Sequence, residues 1–237
     1  MLAATRFVLM NTRHAGNVGA AARAIKVMGF AELVLVAPRW PDVLSREEAL
    51  AYASGAPDVL AQARVVATLA EALDGIGIVC ATAMTPRDFG PPTAAPRELL
   101  PQLALRDEPV AFVFGGERYG LANDDVYRCH AVLSIPSAPD YGSLNLAQAV
   151  QLIAYEWRLA LGGYAVVERT AAAAMAEARA VQGLLEHWQR ALEHVGYLNP
   201  AAPKKLMPRL NQLANRARLT DEEVHILRGI ARAMLDH

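Results

Sequence analysis

Short runs of β-branched and aliphatic residues recur through the first 140 positions of the chain. They are Phe7-Val-Leu-Met10, Leu33-Val-Leu-Val36, Ile76-Gly-Ile-Val-Cys80, Val110-Ala-Phe-Val-Phe114 and Ala131-Val-Leu-Ser-Ile135. Each has the length of a strand buried on both faces. Between them lie stretches with helical spacing, over 19–28, 45–53, 69–73 and 97–105. This alternation predicts an α/β fold, a parallel sheet with helices on both faces. From Leu144 to Leu161 the sequence LNLAQAVQLIAYEWRLAL is apolar and helical, and it stops at Gly162-Gly163, where a helix C-terminus is expected. After an alanine-rich stretch the strand pattern disappears. Helices are predicted over 181–195, from Pro203 to Arg218, and from Thr220-Asp-Glu-Glu223 onward. That last tetrad is a capping box, in which a hydroxyl and a carboxylate each satisfy a free backbone N–H. The chain thus divides into an α/β domain over 1–163, a linker over 164–180 and a small all-α domain over 181–237.

A length of 237 residues suits this division. With 54% hydrophobic and 20% charged residues and a net charge of -1, the chain is neither disordered nor strongly basic. Any grip on nucleic acid must come from a local basic patch. Cys80 and Cys129 are the only cysteines, each in or beside an apolar run. They are expected to be buried thiols in a reducing cytoplasm. The opening MLAATRFVLMN has too short an apolar core for a signal peptide, and no apolar run reaches the roughly 18 residues of a membrane span. The histidines show no metal spacing, so no metal is expected.

Three segments carry candidate chemistry. In His14-Ala-Gly-Asn-Val-Gly-Ala-Ala-Ala-Arg23, the residues Gly16, Gly19 and Ala22 follow a strand at a spacing distantly like a dinucleotide fingerprint. The acidic ribose partner that such a site needs is missing, because the next strand ends in Ala37-Pro38-Arg39, although Arg39 could meet a 2'-phosphate. Close helix–sheet packing with a solvated Arg23 explains the same residues. Phe114-Gly-Gly-Glu-Arg-Tyr-Gly-Leu121 places glycine backbone and the Glu117 carboxylate at the carboxyl edge of the sheet, where α/β proteins bind ligands. A solvent-facing Glu117 paired with Arg118 is the alternative. In Ile135-Pro-Ser-Ala-Pro-Asp-Tyr-Gly-Ser-Leu-Asn-Leu146, Ser143 can be the N-cap of the long helix and Asn145 a first-turn residue.

Taken together, N-x-G-A-x-x-R, F-G-x-E-x-x-G-L and I-P…S-L-N-L resemble the three motifs of the SPOUT superfamily of RNA 2'-O-ribose methyltransferases. Within it the chain is similar to the TrmJ branch, which methylates the ribose at position 32 of the tRNA anticodon loop. The tail PKKLMPRLNQLANRARLTDEEVHILRGI resembles the helical extension of that branch. The resemblance implies a SPOUT fold with a C-terminal trefoil knot and S-adenosylmethionine as methyl donor. By position it assigns the cofactor to Ala81, Thr82, Ala83, Gly115, Gly116, Glu117, Ile135, Gly142, Ser143 and Leu144.

It also implies a catalytic group of Arg23, Asn17, Glu117, Ser143 and Asn145. Arg23 is the residue that family members assign to activation of the ribose hydroxyl. A guanidinium donates hydrogen bonds and accepts none, so its expected part is to bind the adjacent phosphate and stabilise the developing alkoxide. Asn17 is expected to orient Arg23 or its loop, and Glu117 to hold Arg23 or a substrate hydroxyl. Family members usually carry arginine or proline at the place of Gly116 and arginine at that of Thr85, while Arg87 is kept as an RNA contact. Lys204, Lys205, Arg209, Arg216 and Arg218 are expected to hold the tRNA backbone, with a solvated basic face as the alternative. The predicted helix over 144–161 is apolar through Ala147, Val150, Ile153, Ala154, Trp157 and Leu161, which points to a homodimer, as in the family. Other RNA sites, a non-catalytic RNA-binding role and a NAD(P)-linked reductase are the competing functions.

Overall fold

The computed structural model describes residues 4–85, 87–167 and 173–236, which fall into two compact units, 1–165 and 166–237. The first unit contains one sheet of β1 (Thr5–Met10), β2 (Glu32–Val36), β3 (Arg64–Val66), β4 (Ile78–Thr82), β5 (Thr93–Ala94), β6 (Val110–Phe114) and β7 (Ala131–Leu133). The strand order is β3-β2-β1-β6-β4-β7-β5, and every pairing is parallel. Around it stand α1 (Ala15–Val27), α2 (Glu47–Ala53), α3 (Pro57–Gln62), α4 (Leu69–Ala72), α5 (Pro96–Leu103), α6 (Asn123–Val126) and α7 (Leu146–Ala160).

Successive strand residues point to opposite faces. Phe7, Leu9, Leu33, Leu35, Cys80, Phe112 and Phe114 pack with α1 and α7 on one face. Val8, Met10, Val34, Val36, Val79, Ala81 and Val113 pack with α4 and α6 on the other. Burial on both sides is why the strands read as unbroken apolar runs. Both cysteines are buried free thiols, and desolvation pushes each up to about 12.

The α7 residues that pointed to an interface pack within this chain. Val150, Ile153, Ala154 and Trp157 are buried in this chain's own core, Ala147 is buried as well, and Leu161 packs against that core. The apolar residues that α7 leaves exposed are Leu152, Tyr155 and Leu159, on a different stripe. Trp157 donates to Thr5 Oγ1 at 2.9 Å, anchoring α7 to the start of β1. Arg158, only 6% exposed, donates to the Met28 and Gly29 carbonyls at 2.7 and 3.2 Å. Its guanidinium also faces the Phe30 and Tyr164 rings, so one cation closes the C-terminal end of α1.

The second unit holds α8 (Ala178–His194), α9 (Leu206–Ala217) and α10 (Asp221–Leu235). Thr220 and Glu223 cap α10 reciprocally, as their spacing predicts. The expected linker is shorter than 164–180: Ala174 and Ala176 hydrogen-bond the backbone of Asp221 and Leu219, and α8 begins at Ala178. Residues 168–172 of that linker lie outside the described residues. No helix among the described residues is long and apolar enough to cross a membrane.

Candidate active site

The strand order reverses around β1 and β6, and the carboxyl ends of β1, β6, β4 and β7 meet beside that reversal. Open parallel sheets form their ligand crevices at such points. After β6 the loop folds back on itself: Gly120 N–H donates to the Gly116 carbonyl at 2.9 Å. A Cβ at Gly115 would overlap the backbone of Gly120 and Leu121, and one at Gly116 would lie 2.7 Å from the Asn11 carbonyl oxygen. Glycine at both positions therefore lets the loop lean on the end of β1. The same packing delivers Glu117 to the N-terminal end of α1.

There its Oε2 accepts from the Arg13 backbone N–H at 2.9 Å, and its Oε1 from the His14 N–H at 3.3 Å and Asn17 Nδ2 at 2.8 Å. Asn17 Oδ1 in turn accepts from Asn145 Nδ2 at 2.9 Å. Asn145, not Ser143, is the N-cap of α7: its Oδ1 accepts from Ala147 N–H, and Gln148 closes the capping box. One hydrogen-bond chain thus joins the three segments singled out in the sequence. Burial by itself pushes the Glu117 carboxyl up, but the hydrogen bonds from Asn17 and the backbone outweigh it. The carboxyl is held below its usual range. An anion at the positive end of a helix is stable on the same grounds.

Glu117 also lines a cavity of about 310 Å³. Of the residues expected at the cofactor, Thr82, Ala83, Gly115, Gly116, Ile135, Gly142, Ser143 and Leu144 also line it. Ala81 does not, because strand alternation turns it into the core beneath the sheet, where it is fully buried. Arg87 lines the cavity as well. The sequence reading missed Met84, Tyr119 and Leu121, which join it through the folding of the loops, and Leu133 at the end of β7. Among the described residues no cluster of three or more His, Cys, Asp or Glu could hold a metal. Arg39, the residue that a 2'-phosphate reading needs, lies over the Trp40 ring at 4.6 Å.

Residues 4–155 match the family described as "SpoU rRNA Methylase family". The chain belongs to the SpoU methylase family. Its residues 179–237 match a second family description, "tRNA methyltransferase TrmJ, C-terminal domain". A Pseudomonas aeruginosa protein named tRNA (cytidine/uridine/adenosine-2'-O-)-methyltransferase TrmJ is 42% identical over 97% of this chain and 93% of its own. The crystal structure of TrmJ from Z. mobilis ZM4 superposes with a TM-score of 0.82 at 32% identity, covering 98% of this chain and all of that one. A probable methyltransferase from Bordetella pertussis Tohama I superposes at 0.63 with 49% identity, over 68% of this chain and 97% of its own.

In this SpoU methylase, Arg23 is exposed on α1 and makes no hydrogen bond or ion pair with another described residue. Six residues of helix carry it about 9 Å along and about 120° around from Asn17. Within one chain, therefore, neither Asn17 nor Glu117 holds it. Asn17 bonds Glu117 and Asn145 instead, and the Glu117 oxygens are taken by Arg13, His14 and Asn17. Arg23, Asn17 and Asn145 stand outside the cavity wall, and Glu117 and Ser143 within it. In the tail, Lys204, Lys205, Arg209, Arg216 and Arg218 are all exposed and absent from the ion pairs among described residues.

Proposed function

We propose that the chain transfers a methyl group from S-adenosylmethionine to the ribose 2'-hydroxyl of a tRNA, at cytidine or uridine 32 of the anticodon loop. The observation that carries this reading is the cavity whose wall shares Glu117 with the Asn17–Asn145 chain. Its size falls at the lower end of small-molecule sites, which run from about 300 Å³ upward. Ile135 and Leu144 provide apolar surface for an adenine, and Gly115, Gly116 and Gly142 let backbone amides and carbonyls approach its edge. The donor set fits the cofactor. S-adenosylmethionine supplies an electrophilic methyl group carried on a sulfonium.

The protein's own residues divide the remaining work. Glu117, fixed as a carboxylate by three donors, holds the Arg13–Asn17 turn against the cavity loop. Asn145 ties α7 to that turn while Ser143, free of any capping duty, faces the cavity. Arg23 donates to the phosphate beside the target ribose and stabilises negative charge as it grows on the 2'-oxygen. Since it points away from Asn17 in its own chain, this role calls for a second copy. We infer a homodimer in which Arg23 serves the partner's cavity, with Leu152, Tyr155 and Leu159 of α7 covered at the interface. The chain between β7 and α7 would be tied in the family's trefoil knot. The tail cations hold the tRNA backbone in a cytoplasmic setting.

A thermal-shift comparison of S-adenosylmethionine with NADPH tests the cofactor, with stabilisation expected from the first alone. Mass mapping of ribose methylation in tRNA treated with the protein tests the substrate. Methylation at another nucleotide would overturn position 32, and an unmodified tRNA would overturn the reaction.

A further inference from the structure

We propose that the helical unit carries a pocket for one unpaired nucleobase of the RNA, an inference that rests on the tRNA reading above. A second cavity, of about 360 Å³, lies wholly within residues 166–237, between the start of α8 and the end of α9. Its construction follows from local chain geometry. Arg218 ends α9 in the left-handed conformation, at φ 51° and ψ 64°, and turns the chain toward Leu219. Leu219 and Asp221 then pair with Ala176 and Ala174, which holds that segment as one wall of the cavity.

Apolar floor and polar rim are separated as a nucleobase requires. Val181, Ala214 and Leu219 supply flat apolar surface for a ring face. Asn211 and Asn215 stand at positions i and i+4 of one α9 face, with Arg218 just past the helix end and Gln182 of α8 also lining the cavity. Asn215 Nδ2 donates to Asn211 Oδ1 at 3.4 Å, a bond that uses neither the Asn211 NH₂ nor the Asn215 carbonyl. One donor and one acceptor are what the edge of a base asks of side-chain amides. Gln182 Nε2 is engaged by Glu186 at 3.3 Å and leaves its own carbonyl as a further acceptor. Arg218 at the rim supplies a cation for the phosphate of the same nucleotide. Sequence-specific proteins hold unstacked bases of single-stranded RNA by a face contact and an edge contact, and here aliphatic side chains supply the face.

The test uses full-length protein and an unmodified tRNA transcript across a salt series. Asn211→Ala with Asn215→Ala replaces exposed helix residues by a better helix former, so folding is retained. This variant is expected to bind tRNA roughly tenfold or more weakly, with the salt slope unchanged, because amides contact the base and not the backbone. Ala178→Trp, which fills the cavity and leaves every amide and cation in place, should weaken binding comparably. Arg218→Ala should instead reduce the salt slope by about one phosphate contact. If both cavity variants bind as the unaltered protein does, or if the amide variant changes the salt slope, the pocket is wrong while the tRNA reading stands. If the unaltered protein fails to bind tRNA, the substrate reading falls, and the pocket with it.

Discussion

In residues 1–165 the polar groups of the site stand at the ends of a buried sheet and are tied to one another across long stretches of sequence: Glu117 to Asn17, and Asn17 to Asn145. In residues 166–237 the cations stand on helix surfaces, and none of the five expected RNA contacts is drawn into an ion pair among the described residues. The first arrangement fixes positions to fractions of an ångström but depends on every neighbour. The second supplies field strength and tolerates displacement, since Coulomb attraction to phosphate falls off slowly compared with hydrogen-bond geometry. Substitutions in the two units should therefore fail differently, the first in turnover and the second in affinity.

The sharpest separation comes from Arg23→Ala. Loss of a group that stabilises developing charge lowers turnover by roughly 10²–10³-fold. Cofactor binding, read by thermal shift, should not change, and Arg23→Lys should stay at least about tenfold below the native rate because an ammonium lacks the planar fork. Native activity in the lysine variant would remove the bidentate role. Deleting 166–237 comes next: KM for tRNA should rise roughly a hundredfold and recover partly at low salt, while cofactor affinity holds. Equal losses of tRNA and cofactor affinity would make the tail a structural prop. Arg158→Ala, which opens the end of α1, should cost about 2 kcal/mol of stability in the first unit and leave the salt dependence of tRNA binding untouched.

The two units also differ in how far their sequences disclose them. All three tail helices and the Thr220 capping box are legible, because their signals are local periodicity and capping chemistry. Of the seven strands among the described residues, five are legible from apolar runs. The short β3 and β5, with helices α3 and α6, are not, because elements of two to six residues are specified by their neighbours rather than by their own pattern. Helix α1 is expected from its pattern to start at Gly19 and starts at Ala15. His14 offers no side-chain cap, and the anion at that helix end comes from Glu117, 103 residues later. The site residues are visible as motif positions, but which of them touch is not. Ala81 is misplaced by reading a loop where the strand continues to Thr82, and Ser143 stands in for the true cap Asn145.

The smallest expected effect probes that long-range anion directly. Glu117 is held ionised by Asn17 and by the Arg13 and His14 backbone donors, and its carboxyl lies below the usual range. A depressed folded-state value means that the ionised form contributes stability above the unfolded value of about 4.3, and that this contribution fades as pH falls through the lower folded value. Glu117→Gln keeps the shape but points an NH₂ at one of the donors. At pH 7 it should cost about 1 kcal/mol or less, since the group is part-exposed and solvent screens it. Melting curves of the full chain from pH 7 down to pH 3 should show the gap between the native protein and the Glu117→Gln variant closing as the native carboxylate protonates. A gap that stays constant across that range would mean the carboxylate charge contributes nothing there. The link from the α1 turn to the cavity loop would then rest on packing at Gly115 and Gly116 alone.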